Sequence, residues 1–441
     1  MIQINVALPS GRSENLSVPQ SSKVEELRSL VQRSFGQRFL MLITADGQAL
    51  SDHAKSLRAA GIQEGDSLIA TATQARLAAT ESAFALWCCG GDALVTWGNG
   101  AAGGNSSAVR RRLRRVQQVQ ATGFAFAAIL ADGSVVTWGN PDYGGDSSAV
   151  QNQLWNVQQV HATNCAFVAV LANGSIVSWG NPTFGGDSSL VQHQLQNVRH
   201  VHAAHYAIAA ILADGSVVTW GDPSFGGDSS AVQHQLRNVI QVCASHFAFA
   251  AILADGSIHM WGDTEGVCDT EVRQLRVQQI QTTSHAFAAI LEDGSVVAWG
   301  SRAHGGDSSL VRDQLKNVQQ LQATHFSFAA ILADGSVVVW GHPDYGGDSS
   351  LVKHELQNVR LVQATHTAFA AILADGSVVT WGDPVTGGDS SAVQGQLRNV
   401  QQIAATSDAF AAVLADGSVV TWGDPKNGGD STAVQDQLAD L

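Results

Sequence analysis

Apolar residues follow two different rhythms along the chain, and the change between them falls near residue 74. Ile2, Ile4 and Val6 alternate with polar or small residues, and Leu16 and Val18 do the same beyond the turn residues Pro9-Ser10-Gly11, which predicts a first hairpin. Val24, Leu27, Leu30 and Val31 then fall at helical spacing. Ser22-Lys23-Val24-Glu25 has the S-x-x-E spacing of a capping box before them, and Gly36 stands where a helix would end. Leu40 to Thr44 reads as a strand, Asp46-Gly47 as a tight turn, and Ser67 to Thr73 as a last strand. The predicted order over residues 1–74 is strand, strand, helix, strand, strand.

From residue 75 to 441 the rhythm repeats. Trp97, Trp138, Trp179, Trp220, Trp261, Trp299, Trp340, Trp381 and Trp422 are each followed by Gly, at steps of 41 residues with one step of 38. Aligning the copies gives VQQVxATxxAFAAILADGSVVTWGxPxxGGDSSxVQxQLxN. It contains an alternating strand, a nearly continuous apolar strand and a third strand ending in Trp-Gly. Asp-Gly between the second and third, as at Asp132-Gly133, predicts a two-residue hairpin with both central residues at positive φ. After Trp-Gly a loop leads to Ser148-Ala149-Val150-Gln151, where capping-box spacing predicts one short helix per repeat. Asn156 and its counterparts Asn197, Asn238, Asn317, Asn358 and Asn399 close it in a left-handed cap. Such a unit has apolar residues on both faces of its sheet and cannot bury them alone, so it must stack on its neighbours.

Two resemblances follow from these strings. FLMLITADGQAL at 39–50 and LRAAGIQEGDSLIAT at 57–71 make residues 1–74 similar to ubiquitin-like domains. That resemblance implies a contact patch at Ile43, with Leu42 and Ile69 beside it. The di-glycine conjugation tail of that family is absent, so the segment is expected to dock and not to be ligated. The D-G-x-V-x-x-W-G core, together with a strand-end column holding His205, His246, His325 and His366, resembles the repeat of the regulator of chromosome condensation. Gly123, Asn164, Ser284 and Ser407 occupy that column in other copies. The expected fold is therefore mainly β: a propeller of short three-stranded repeats over 75–441, preceded by a small α+β β-grasp domain over 1–74. Nine copies exceed the ~4 to 8 blades of most propellers, so a large ring, a ring with one copy left out, and an open solenoid are all compatible with the sequence. The first copy has lost its Asp-Gly-Ser turn and the fifth is shortened at 262–272, so symmetry is expected to break there.

Composition narrows the function classes. Apolar residues make up 45% and charged residues 14%, with 44 glycines, which fits a folded, turn-rich chain. No apolar run approaches the ~18 residues of a membrane span, and the start lacks the basic and apolar regions of a secretory signal. Five cysteines without a CxxC pair fit a reducing compartment, and a cytoplasmic or nuclear location is expected. The net charge of −14 sits in the repeats, because residues 1–74 hold seven basic and seven acidic side chains. It argues against general binding of nucleic-acid phosphates. The exception is a basic run of Arg110, Arg111, Arg112, Arg114 and Arg115, which reads as a solvated face or as a targeting or contact patch.

Other chemistry reads as structural. The tryptophans recur as packing wedges do, and not as a light-sensing cluster would. The histidine column is expected to lie too far apart around a ring for its members to meet on a metal at ~2 Å. The repeated GGDSS carries an Asp that opposes phosphate, so a turn with a cap is expected there. No nucleophile, base and orienting group stand together, and neither a cofactor nor a metal is expected. What remains is a non-enzymatic interaction scaffold linked to ubiquitin-pathway partners through its first domain. Its propeller contacts are expected on loop aromatics held exposed between Trp-Gly and Gly-Gly: Tyr143, Phe184, Phe225 and Tyr345. Guanine nucleotide exchange on a small GTPase, which the repeat family's namesake performs, and a purely structural array are the alternatives.

Overall fold

The computed structural model describes residues 1–37, 40–50, 55–72, 75–88, 93–263 and 277–439. Cys89, Cys268, the junction at 73–74 and most of the shortened fifth linker lie outside the described residues. Strands β1 (Ile2–Ala7), β2 (Ser13–Val18), β3 (Leu40–Thr44) and β4 (Ser67–Ala72) form one sheet in the order β2-β1-β4-β3, with helix α1 (Val24–Phe35) packed on it. β1 pairs antiparallel with β2 and parallel with β4, and β3 pairs antiparallel with β4. Val24, Leu27, Val31 and Phe35 on one side of α1 share a core with Ile4, Val6, Leu42 and Leu68. Gly36 takes the left-handed conformation at φ 65° and its N–H reaches the Gln32 carbonyl, which is the predicted helix end. The predicted capping box does not form. Lys23 is the N-cap, without a side-chain bond, and Ser22 instead accepts the Leu57 N–H on its carbonyl at 2.8 Å.

Residues 75–423 build nine three-stranded antiparallel sheets, one per repeat. Blade 1 spans 75–98, blade 2 116–139, blade 3 157–180, blade 4 198–221, blade 5 239–262, blade 6 277–300, blade 7 318–341, blade 8 359–382 and blade 9 400–423. In blade 2 the inner strand is Val116–Ala121, the middle Ala125–Leu130 and the outer Val135–Gly139. Middle strands carry apolar residues on both faces because both faces are covered by neighbouring blades. Each pair of adjacent blades shares one apolar core. Ala83, Ala85 and Trp87 of blade 1 meet Phe126 and Trp138 of blade 2, and Ala248 and Ile252 of blade 5 meet Phe287 and Trp299 of blade 6.

The ninth seam joins the ends of the array. Phe84 and Trp97 of blade 1 pack with Ala409 and Ala411 of blade 9, so the sheets close into a nine-bladed ring, the first of the three outcomes the sequence left open. Among the described residues, eight of the nine seams also receive one leucine from a linker, such as Leu113, Leu154 and, at the closure, Leu438 from the final helix Gln435–Ala439. The tryptophans work as wedges. Trp138 stacks on Phe126 with ring centroids 5.1 Å apart, and its Nε1 donates to the Gly103 carbonyl of the preceding linker at 3.0 Å. The equivalent bond from Trp97 runs to Gly428 at 3.2 Å, across the closure. Burying one such phenylalanine contributes about 2–3 kcal/mol, and the ring repeats the gain seam by seam.

Two local expectations are corrected. Only Gly133 of the Asp-Gly pair has positive φ, at 76°, and its N–H bonds to the Leu130 carbonyl. Asp132 instead accepts the Ser134 N–H at 2.9 Å on Oδ1, so the hairpin is a three-residue loop with a left-handed glycine and not a two-residue turn. The linker opens with a 3-10 turn, Pro141–Tyr143, whose N-cap Asn140 accepts the Asp142 N–H. The predicted capped helix shrinks here to a single 3-10 turn, Gln151–Gln153, and reaches α-helical form in the last copy, at Gln435–Ala439. Ser147 is buried and bonds Thr137 at 3.0 Å and Gln151 at 3.1 Å, so its hydroxyl is engaged with the blade, while Asp146 accepts the Ser148 N–H. The left-handed closing residue is as predicted: Asn156 has φ 51°, and Arg115 holds the same corner in the first copy at φ 53°.

The candidate functional site at the axial mouth

At the end of each inner strand a Thr, Ser or Ala is followed by two variable residues before the middle strand begins. The first of the two carries a chain of backbone hydrogen bonds around the axis. Glu81 donates to Gly123, Gly123 to Asn164, Asn164 to His205 and His205 to His246; Ser284 donates to His325, His325 to His366, His366 to Ser407, and Ser407 back to Glu81, at 2.8 to 3.3 Å. These turns ring an axial cavity of about 440 Å³.

The side chains of this column meet, contrary to the expectation that copies around a ring stay apart. The imidazoles of His205 and His246 lie 4.8 Å apart by centroid, those of His246 and His325 4.5 Å, and those of His325 and His366 are stacked at 3.7 Å. Copies that are far apart at the tryptophan radius converge at the axis. Ser284 and Gly123 have small side chains, and the absent Cβ at Gly123 leaves room for the Asn164 amide, which would otherwise collide with it. Ser407 Oγ lies 3.0 Å from His366 Nε2, and Asn164 Nδ2 donates to His205 Nε2 at 3.1 Å. Glu81 in turn hydrogen-bonds Asn164. Burial holds all four imidazoles, His205 among them, below the usual histidine range, His366 to about 4, His246 to about 3 and His325 to about 2. They are neutral at physiological pH. Among the described residues no group of three or more His, Cys, Asp or Glu is arranged to hold a metal ion.

The second variable residue and the third residue of each 3-10 turn build an outer circle. Buried threonines fix the turns in place: Thr122 donates to the Tyr143 carbonyl and Thr163 to that of Phe184, both at 3.0 Å. From blade 2, where Phe124 packs on Tyr143, to blade 7 this circle is aromatic apart from Cys165. Tyr206 touches Phe184 and Phe225, Phe225 touches Phe247, Phe247 stacks on His285, and Phe326 lies against His304 and Tyr345, with centroids 4.3 to 5.1 Å apart. From blade 8 to blade 1 the circle is polar. Thr367, Asp408 and Ser82 occupy the strand-end position, and Asn427 bridges Asp408 at 2.9 Å and Asp424 at 3.2 Å. Burial and the nearby charges of Asp424 and Asp383 push the Asp408 carboxyl up, and burial, partly offset by Asn164, does the same for Glu81.

The residues proposed from sequence separate here. Tyr143, Phe184, Phe225 and Tyr345 all lie on the outer circle but are half-buried against their neighbours, not held exposed, because each packs on the variable strand-end residue. Ile43 and Ile69 sit directly opposite each other on β3 and β4, and Ile69 is 44% exposed. Leu42 is 2% exposed and belongs to the core, because successive strand residues face opposite ways and Leu42 cannot share a surface with Ile43. Arg110, Arg111, Arg112, Arg114 and Arg115 are exposed around the buried Leu113, in the linker that enters the seam between blades 1 and 2. Glu81 and Asp408 were missed. Their signal lay in the alignment column already noted for its histidines, where the first copy has Glu, and in the position after it. No helix among the described residues is long and apolar enough to cross a membrane.

No protein-family model matches this chain, and no curated protein sequence matches it. Solved structures do. Yeast RCC1 (Prp20), crystallised bound to Kap60, is 16% identical over 67% of this chain and 88% of its own, with a TM-score of 0.40. The computationally designed Ika8 protein is 15% identical over 70% of this chain and 96% of its own, at a TM-score of 0.37. Caldiarchaeum subterraneum ubiquitin is 19% identical, covering 17% of this chain and 94% of its own, at a TM-score of 0.16.

Proposed function

We propose that this chain is a non-enzymatic interaction scaffold that binds a protein partner at the axial mouth and carries a ubiquitin-like docking module over residues 1–74. The observation that carries the first half is where the copies differ. Seam residues recur almost unchanged, whereas the two strand-end positions at the mouth run through Glu, Gly, Asn, His and Ser in one column and Ser, Phe, Cys, Tyr, His, Thr and Asp in the next. Structural necessity would repeat one residue there, and a rigid ring presenting non-repeating side chains on turns suits recognition. The paired Ile43 and Ile69 support the second half, since they form an outward apolar couple on a sheet whose other face is filled by α1. The acidic balance and the cysteines, of which Cys88 and Cys165 are buried thiols, fit an intracellular setting.

The test is pull-down with the full chain against purified proteasomal ubiquitin receptors, with Ile43→Asp/Ile69→Asp as the comparison. Capture that the double variant abolishes is expected; capture unchanged by it contradicts the docking module. Nucleotide release from a small GTPase is expected to proceed at its uncatalysed rate, and acceleration would favour exchange activity over a scaffold.

A further inference from the structure

The mouth is divided in chemistry, and the division itself describes an occupant. On one side of the cavity the lining residues His205, His246 and His325 are each followed in the chain by an aromatic residue of the arc, Tyr206, Phe247 and Phe326, with Phe225 joining the first two. On the opposite side Glu81 lines the cavity directly and Asp408 stands beside Ser407 on its rim. Asp408 is joined through Asn427 to Asp424. No ion pair given by the described residues reaches Glu81, Asp408 or Asp424. The imidazoles between the two sides are neutral by burial and supply no compensating charge.

We infer that the axial mouth seats an arginine-bearing segment of a partner protein, its guanidinium between Glu81 and Asp408 and its flanking residues laid on the aromatic arc. The carboxylate side is hydrogen-bonded by Asn164 and Asn427 but faces no cation among the described residues, so a cationic group is the complement its charge favours, and partial burial strengthens the attraction. Guanidinium suits the site better than ammonium. Its planar fork matches carboxylate oxygens, it stacks on aromatic and imidazole faces, and it sheds water more readily. A protein segment suits it better than a free amine, because the arc from Tyr206 to Phe326 runs across four blades, far beyond the reach of one side chain. Nucleic acid and anionic lipid surfaces are disfavoured by the same carboxylates.

This inference rests on the interaction reading above and specifies its partner. The experiment uses the full chain and a fluorescent peptide of alternating arginine and glycine, with lysine–glycine and glutamate–glycine peptides beside it. The arginine peptide is expected to bind most tightly, and Glu81→Gln/Asp408→Asn to weaken it by about tenfold or more. Phe247→Ala should weaken it by a smaller factor, and Asp313→Asn, on an exposed linker position, should leave it unchanged. Circular dichroism and melting curves identical to wild type show that the double variant keeps its ring. The inference is overturned if the arginine peptide does not bind, if Asp313→Asn weakens it as much as the mouth variant does, or if free arginine amide displaces the peptide at equal concentration. A partner protein captured equally by the wild type and the mouth double variant would also overturn it, while leaving the scaffold reading standing.

Discussion

Phe247 and Phe249 are two residues apart on one strand end of blade 5, and they belong to different regimes. Phe249 is fully buried, stacks on Trp261 with centroids 5.2 Å apart, and has a phenylalanine or isoleucine counterpart in every other blade. Phe247 is half-buried at the mouth, stacks on His285, and its counterparts include Cys165, Thr367 and Asp408. The comparison separates what builds the ring from what the ring presents. Seams need the same volume at each of nine joins because close packing tolerates little change, whereas the mouth is free to differ wherever a turn leaves a side chain half in water.

That contrast can be broken most strongly at the seam. Phe249→Ala is expected to destabilise the chain by about 3–5 kcal/mol, read by chemical denaturation, while Phe247→Ala should cost under about 1 kcal/mol; similar costs for both would erase the distinction. Leu438→Ala at the closure should cost about 2–5 kcal/mol, as a leucine in any other seam would. A much smaller loss would mean that the ninth seam does not carry the load of the others. Asn156→Ala, which removes the residue type best suited to φ 51°, should cost about 1 kcal/mol in the same assay.

The smallest effects concern pH. A histidine held below its unfolded value binds fewer protons folded than unfolded, so the stability it contributes is present above about 6.5 and is lost as pH falls toward the folded values. For His366, His246 and His325 those are about 4, 3 and 2, so melting temperature should decline steadily from neutral pH toward 4. Glu81 and Asp408 have the opposite sign, since their raised values favour the folded state at the acid end of the carboxylate range. His246→Ser, which places at this position the residue that blade 6 holds as Ser284, should shallow the acid decline with little effect at neutral pH. An unchanged acid limb would remove the histidine cluster from the account.

Much of the blade was legible in the sequence because its signals are local: the Trp-Gly step, the alternation of Val and Gln on inner strands, and the left-handed Asn. Leu42 was readable too, since period-2 alternation puts it opposite Ile43, but the family resemblance drew the two together. The mouth was not legible because it is made by residues about 41 positions apart that meet only when the ring closes, and nothing in one repeat sets the blade number. The linker helix was read from a cap at Ser148, but Asp146 accepts the Ser148 N–H and the neighbouring Ser147 turns its hydroxyl into the blade. Only the folded blade offers Thr137, which wins over the linker's own backbone.

Closure is the claim on which the mouth depends, and Trp97 reports it most directly. Its indole N–H bonds Gly428 across the join between first and last blades, as Trp138 bonds Gly103 within the array. Indole hydrogen exchange followed by NMR should show Trp97 protected to the same degree as Trp138. A Trp97 indole that exchanges freely while Trp138 stays protected would mean an open array, with no closed mouth.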